Sequence, residues 1–400
     1  MGIMNSDDLS LIGRLGSLFD FDLTSYQKQI NASVEGASFL VVGGAGTIGQ
    51  AVTKEIFLRN PGRLHVVDIS ENNLVELVRD IRSSFGYISG DFKTFCIDVG
   101  SDVFTSFAKH YKSYDYVLNL SALKHVRSEK DPFTLMRMIQ VNIINSINLI
   151  DLFSNNESTK FFTVSTDKAA NPHNFMGASK RIMELFLTRY SETRKISMAR
   201  FANVAFSDGS LLHGFNQRLD KGQPIVAPND IKRYFVTKKE SGELCLMSCL
   251  LGNTNEIFFP KLNENIHLMK FSDIAKNFLK SRGLVPYECT SEEEARKLVK
   301  ELIPEGKWPC LFSTSNTTGE KEIEEFYTSS EKLDMERFKG VGVIKNSLSY
   351  DDHKLDDFLE YIHIQRQNGT WTKEALKEQF QLLLPSFAHE EMGMNLDQKM

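Results

Sequence analysis

From residue 37 onward, short apolar runs rich in β-branched residues alternate with longer amphipathic stretches. FLVVGG (39–44), RLHVVDIS (63–70), KTFCIDV (93–99), YDYVLNLSA (114–122), KFFTVSTD (160–167) and ISMARFANV (196–204) have the length and composition of buried strands. Between them lie stretches such as TIGQAVTKEIFLRN (47–60) and ENNLVELVRDIRSSFG (71–86), with apolar residues at helical spacing. Buried strands alternating with helices predict an α/β chain with a doubly wound parallel sheet. Ligands of such sheets sit beyond the C-terminal ends of the strands. The polar clusters of this chain fall at those ends.

The flanks read differently. Residues 1–36 place Leu9, Leu11, Ile12, Leu15, Leu18 and Phe19 at the spacing of a short amphipathic helix. After about residue 205 the alternation loosens into turn signals, short apolar pieces and two small helices, FSDIAKNFLKSRG (271–283) and SEEEARKLVKELI (291–303). From about 345 the chain is polar and helical, and its end, EEMGMNLDQKM (390–400), is expected to fray.

Composition narrows the function classes. The 400 residues are 41% apolar and 25% charged, with a net charge of −5, which argues against a dedicated nucleic-acid binder. No apolar run approaches the ~18 residues of a membrane span, and MGIMNSDDLS lacks the regions of a secretory signal. Met1-Gly2 followed by Ser6 fits an acylation signal too weakly to count. Cys96, Cys245, Cys249, Cys289 and Cys310 are odd in number and scattered, with no histidine pair in metal-like spacing. Buried thiols in a cytoplasmic protein without a metal site are expected.

Candidate chemistry begins in VVGGAGTIGQAV, where Gly43, Gly46 and Gly49 stand at three-residue intervals between a strand and a helix. Glycines let the backbone approach a diphosphate, and free N–H groups at the helix start, here Thr47 and Ile48, receive its charge. Asp68 ends the next strand, where a carboxylate accepts from adenosine ribose hydroxyls and repels a 2′-phosphate, so NAD is expected over NADP. Asp98, followed by Val99, would touch the adenine or cap the following helix. Ser121 and Ala122 are small enough to let a nicotinamide riboside pass, and Lys124 and His125 project toward the cleft.

GGAGTIG, SALKHV, STDKAANPHNFMGASKR, RFANVAFSDGSLLHGF and KRYFVT together resemble the extended short-chain dehydrogenase/reductase superfamily. More narrowly, they are similar to the bacterial UDP-N-acetylglucosamine 4,6-dehydratases of polysaccharide biosynthesis, from about residue 37 to 330. LIGRLGSLFDFD (11–22) also resembles the segment before the catalytic domain of membrane-tethered relatives. The resemblance implies a helical extension (1–36), an NAD-binding Rossmann domain (37–205), a substrate-binding region with parts returning to the sheet (206–345) and a helical C-terminal extension (346–400). It implies oxidation of sugar C4 by NAD⁺, loss of water across C5 and C6, and return of hydride to C6.

That middle step needs a base and an acid on fixed sides of the ring. By resemblance Lys168 takes the C5 proton and Asp167 protonates the departing hydroxyl. Many nucleotide-sugar enzymes place a tyrosine base where this chain has Met176, which cannot take a proton. Lys180, four residues on, holds the nicotinamide ribose in the superfamily. Thr166 is the nearest candidate to relay the C4 proton, toward Lys180 or solvent. The resemblance adds Asn142, Asn203 and Val204 near the cofactor, with Asn203 also facing the substrate. It places Arg233 on the nucleotide diphosphate, Gln217 more weakly in the nucleotide pocket, and Glu320 within TTGEK (317–321), a segment that lacks the family's arginine. A C4 epimerase or reductase, and an NAD-binding scaffold without catalysis, are the competing readings. The expected partners are a UDP-sugar and further copies of the chain, through helix packing at 130–154 and 175–193.

Overall fold

The computed structural model describes residues 4–262, 268–315, 321, 323–345 and 349–389. Among them, nine strands form one sheet in the order β14-β15-β10-β6-β5-β4-β1-β2-β3. These are β1 (Ser38–Val42), β2 (Arg63–Asp68), β3 (Asp91–Cys96), β4 (Tyr116–Asn119), β5 (Lys160–Thr166), β6 (Lys195–Phe201), β10 (Glu256–Pro260), β14 (Lys332–Asp334) and β15 (Val341–Lys345). β1 to β6 and β10 run parallel, and β15 and β14 close the edge with antiparallel pairing. One row crosses the centre through Val66, Val41, Leu118, Phe162 and Ser197. The central strands are buried on both faces, which is why they read as continuous apolar runs rather than alternating ones.

Helices cover both faces. Along the first part of the chain run α1 (Met4–Leu11), α2 (Asp20–Ser25), α3 (Gln27–Val34), α4 (Thr47–Phe57), α5 (Glu71–Phe85), α6 (Asp102–Tyr111), α7 (Pro132–Ile139), α8 (Asn145–Leu152) and α9 (Phe175–Tyr190). Later come α10 (Leu211–Asp220), α11 (Lys238–Leu251), α12 (Phe271–Ser281), α13 (Glu292–Leu302), α14 (Asp352–Asn368) and α15 (Lys373–Leu383). The single helix expected before residue 37 is therefore three. The buried carboxylate of Asp22 on α2 accepts the backbone N–H groups of Lys339 and Gly340 (both 2.7 Å), tying the N-terminal segment to the approach of β15. The C-terminal helices dock through Phe358, Phe380 and Phe387. Phe380 and Phe387 each lie 5.4 Å from Phe175, the first residue of α9. Residues 390–400, expected to fray, lie outside the described residues.

Two smaller three-stranded sheets stand beside the large one. The run ISMARFANV is not one strand. It breaks at Ala202, and β7 (Asn203–Val204) leaves β6 to pair with β9 (Lys232–Val236), itself paired with β11 (Leu268–Lys270). β8 (Ile225–Pro228), β12 (Val285–Cys289) and β13 (Lys307–Ser313) form the other. Cys245, Cys249, Cys289 and Cys310 are buried as expected, whereas Cys96, at the open end of the edge strand β3, is exposed. No helix of the described residues is long and apolar enough to cross a membrane.

One buried ionic cluster joins these parts. Arg200 of β6 is fully buried and donates through Nε and Nη2 to Glu184 of α9 (2.9 and 2.7 Å). It also donates through Nη1 and Nη2 to Glu331 (2.9 and 2.8 Å) and through Nη1 to the carbonyl of Phe326 (2.8 Å). Arg181 reaches both acids, and the Ser165 hydroxyl donates to Glu184. Burial alone would raise the Glu331 carboxyl. The hydrogen bonds and charge of Arg200, with the charge of Arg181, outweigh it and hold the group at about 2.

A carboxyl lowered on folding contributes stability that is complete above its unfolded value and is lost as pH falls through the folded one. Glu331→Gln is therefore expected to lower unfolding free energy by about 3 kcal/mol at pH 7. The gap from wild type should narrow as pH falls from 4.5 toward 2. Urea unfolding at pH 7 and pH 3 measures it, and an equal gap at both would remove the ionised Glu331 from the account.

Candidate active site

The C-terminal ends of β1, β2, β4 and β5 lie side by side along the edge of the sheet where a ligand cleft is expected. Gly43 follows β1 with φ +73, and a side chain there would place its Cβ 2.5 Å from the Ser121 N. The loop can therefore cross the end of β4 only as glycine. Gly46 begins α4 without a side-chain cap, and a Cβ there would meet nothing closer than 3.6 Å. Thr47 and Ile48, half-buried, continue from it. Asp68, at the end of β2, accepts from Ala45 N–H (2.9 Å) and Ser70 N–H (2.9 Å), so the carboxylate also holds the glycine loop in shape. Asp98 accepts from Gly100 N–H (2.9 Å) and faces Arg137 (3.1 Å). The helix cap considered for it is made by Ser101, whose hydroxyl accepts from Phe104 N–H. Val99 lies half-buried beside it.

Beyond β4, Ser121 is held by Asn119, while half-buried Ala122 leads to exposed Lys124 and His125. Asn142 is fully buried. It accepts from Leu123 N–H and donates to Leu123 O and to Ser179 of α9, so it fixes the 121–125 segment against that helix. Lys124 Nζ donates to the carbonyl of Asp208 (2.8 Å), and Asp208 N–H donates to the Thr47 hydroxyl (3.0 Å). The stretch after β7 thus lies across the cleft mouth, with Phe206 and Gly209 both in the left-handed region (φ 54 and 71).

The STDKA motif forms the floor. β5 ends at Thr166 and a 3-10 turn (Asp167–Ala169) follows. Asp167 is 2% exposed, and its Oδ1 accepts from the Thr166 hydroxyl (2.8 Å), Lys168 N–H (2.9 Å) and Lys168 Nζ (3.0 Å). Its Oδ2 is buried with no hydrogen-bond partner among the described residues, and so is Nδ2 of Asn203 at the start of β7. Three donors thus converge on one oxygen of Asp167, while the second has none among the described residues.

α9 starts opposite. Asn174 caps it by accepting from Gly177 N–H (2.8 Å), and Met176 is buried. Lys180 is buried, and burial lowers its amine to about 8. Its Nζ donates to the carbonyl of Val164 (3.1 Å), with Met183 Sδ at 3.7 Å, while the Thr166 hydroxyl points to Asp167. The relay expected toward Lys180 is therefore laid toward Asp167.

Arg233 on β9 is buried and donates to the carbonyls of Lys232 and Lys321 (both 2.8 Å). Val204 lies beside Asn203, whereas Gln217 stands exposed on α10, and Glu320 lies outside the described residues. The sequence reading missed Glu324, which approaches both Lys168 and Arg233. Its only signal was an acid between Ile323 and Phe326, two residues that pack on the main core. It also missed Asp208 and Gly177.

A family model described as a polysaccharide biosynthesis protein matches residues 39–345. The chain belongs to this family. A Methanocaldococcus jannaschii protein, described as an uncharacterized membrane protein, is 31% identical over 279 residues, covering 67% of this chain and 80% of that one. Bacillus subtilis EpsC, a probable polysaccharide biosynthesis protein, is 29% identical over 69% of this chain, which spans about half of its length (46%). The inverting UDP-N-acetylglucosamine 4,6-dehydratase of Campylobacter jejuni (serotype O:23/36) is 28% identical over 347 residues, 85% of this chain and 95% of that one. Among solved structures, Pen from Bacillus thuringiensis superposes with a TM-score of 0.61 at 19% identity over 79% of this chain and 89% of that one. The dTDP-glucose 4,6-dehydratase of Bacillus anthracis, solved with NAD, gives 0.54 at 12% over 73% and 88%. These establish a shared Rossmann-type fold.

Gly177 is the packing point of the site. A Cβ there would lie 2.4 Å from the Lys168 carbonyl oxygen and 3.1 Å from its Cβ. Gly177→Ala is expected to lower stability by about 1–3 kcal/mol and to push the Asp167–Lys168 turn off α9. Thermal unfolding checks it, and an unchanged Tm would mean the turn can yield freely.

Proposed function

We propose that this chain is an NAD-dependent lyase that converts UDP-N-acetylglucosamine to its 4-keto-6-deoxy derivative for surface-glycan biosynthesis. The observation that carries the reading is the acid–amine pair at the end of β5. Asp167 presents a buried oxygen with no partner among the described residues, Lys168 stands 3.0 Å from its other oxygen, and α9 carries buried Met176 rather than a phenol. A phenol-dependent epimerase has no use for such a pair. The similarity to the Campylobacter jejuni dehydratase over nearly its whole length supports the same substrate.

The residues present fit a dinucleotide. Gly46 leaves an open cradle at the uncapped start of α4, and Asp68 at the end of β2 would receive the ribose hydroxyls. Lys180 would hold the second ribose. When bound, the nicotinamide supplies a hydride acceptor for C4 and returns that hydride to C6.

The protein's own groups then account for every proton. Thr166 takes the proton of the 4-hydroxyl as it passes its own to Asp167, along the hydrogen bond already made. Asp167, now neutral, gives that proton to the 6-hydroxyl, so the departing water carries the hydrogen lost from the 4-hydroxyl. Lys168, entering the step as the free amine, takes the C5 proton before the water leaves and returns one to C5 at the end, so it ends as the free amine again. No phenolate is required, which is how Met176 is compatible with turnover. Arg233 suits the diphosphate by its charge.

Wild-type protein in heavy water with UDP-N-acetylglucosamine should release one water and yield a product with one deuterium at C5 and none at C6, read by mass spectrometry and NMR. Lys168→Ala should slow dehydration by about 10²–10⁴-fold while reduced-cofactor absorbance still develops. A C4 epimer with no loss of water, or a Lys168 variant that dehydrates at the wild-type rate, would sink the assignment. Asp68→Ala should weaken NAD binding by about tenfold or more, since a hydrogen bond to a charged group contributes about 1.5–3 kcal/mol. Fluorescence titration with unchanged affinity would take Asp68 out of the cofactor site.

A further inference from the structure

Glu324 enters the site three residues beyond TTGEK (317–321). It is 4% exposed, with Oε1 3.9 Å from Lys168 Nζ and 3.8 Å from Arg233 Nη2. Its place is fixed from behind, because Arg200 holds the Phe326 carbonyl and Glu331 just downstream. The charged groups that face it are Lys168 and Asp167 from the turn after β5, Arg233 from β9, and Lys321 on its own segment. Burial raises its carboxyl. Lys168 opposes that, Asp167 reinforces it, and Arg233 and Lys321 oppose it further.

The proton circuit creates a need that this carboxylate meets. In the resting site Lys168 lies against ionised Asp167. Once Asp167 has taken the 4-hydroxyl proton it is neutral, and it no longer balances a charge on Lys168. That is the moment at which Lys168 must become an ammonium by removing the C5 proton. Among the described residues, the other carboxylate within ion-pair distance of Lys168 is Glu324.

We infer that Glu324 is a positioning residue for the elimination, pairing with Lys168 and balancing the ammonium that forms there. The step rests on the dehydratase reading above. The C5–H bond breaks and an N–H bond forms on Lys168. The C–H electron pair enters the 4-ketone as an enolate, which re-forms the carbonyl and expels the 6-hydroxyl with the Asp167 proton as water. Glu324 keeps its own proton count throughout and acts only through charge.

The test compares full-length wild type, Glu324→Gln and Glu324→Asp, with UDP-N-acetylglucosamine across a pH series. Gln should lower kcat for water loss by about 10²-fold and leave KM within about threefold. It should also move the pH limb that reports Lys168 downward by about 1–3 units, because an opposite charge at this distance favours the ammonium by that much. Asp should recover part of the rate and of the profile, which a merely structural role would not require. A second readout needs no turnover: competitive acetylation of Lys168, followed by mass spectrometry, should show the same downward shift in the Gln variant. Should the Gln variant not fold, the Asp variant carries both readouts, with smaller shifts expected in the same direction. If wild type dehydrates and the variants keep its rate, pH profile and Lys168 reactivity, the role of Glu324 is overturned and the dehydratase reading stands. If wild type releases no water from the sugar nucleotide, both fall together.

Discussion

The site depends on the fully buried guanidinium of Arg200. Its donors carry β6 to two carboxylates and a backbone carbonyl on two other stretches of chain, α9 and the segment 326–331. A buried charge is tolerated only when it is paired and its hydrogen bonds are filled. Here none of the side-chain polar atoms of Arg200, Glu184 or Glu331 is left buried without a partner. Removing one member would strand the others in the core, so the cluster behaves as one unit. It fixes the helix that carries Met176 and Lys180, and also the segment that delivers Glu324.

The floor of the cleft is arranged in the opposite way. Asp167 has one oxygen with three donors and another with none, and the Asn203 amide is also left unpartnered. Such groups are costly when buried. They are held in place because the surrounding backbone leaves no alternative: Gly177 brings α9 against the turn, Asn174 caps that helix, and Asn142 bonds the 121–125 segment to Ser179. Rigid, satisfied contacts behind the site maintain unsatisfied ones within it. That is the arrangement a site needs if bonds are to form to a ligand rather than to the protein.

The mouth of the cleft follows from the break at Ala202. Because β7 turns away from β6 to pair with β9, the residues after it cross back over the glycine loop, where Asp208 meets both Thr47 and Lys124. The same pairing holds β9, whose Arg233 stands 3.8 Å from Glu324. Lys124 therefore spends its ammonium on a carbonyl of this crossing strand of chain, and its role in the cleft is tied to where that strand lies.

Local sequence by itself determined the parallel sheet, the glycine loop and the strand-end position of Thr166, Asp167 and Lys168. Each of these follows from a few adjacent residues: apolar runs that must be buried, glycines at a turn that excludes Cβ, polar residues where a strand stops. The cap of the helix after β3, by contrast, is open in the sequence between Asp98 and Ser101, because both residues can cap a helix and only backbone geometry chooses Ser101. Tertiary structure alone decided the rest. The split of 196–204 depended on pairing with β9, about thirty residues away in sequence. The direction of the Thr166 hydroxyl depended on Lys180 being drawn off to Val164. Glu324 became part of the site only through Arg200, whose interactions span 126 and 131 residues of separation. A charge balanced across such distances leaves no periodicity in the chain, because its partners are chosen by where the fold places them.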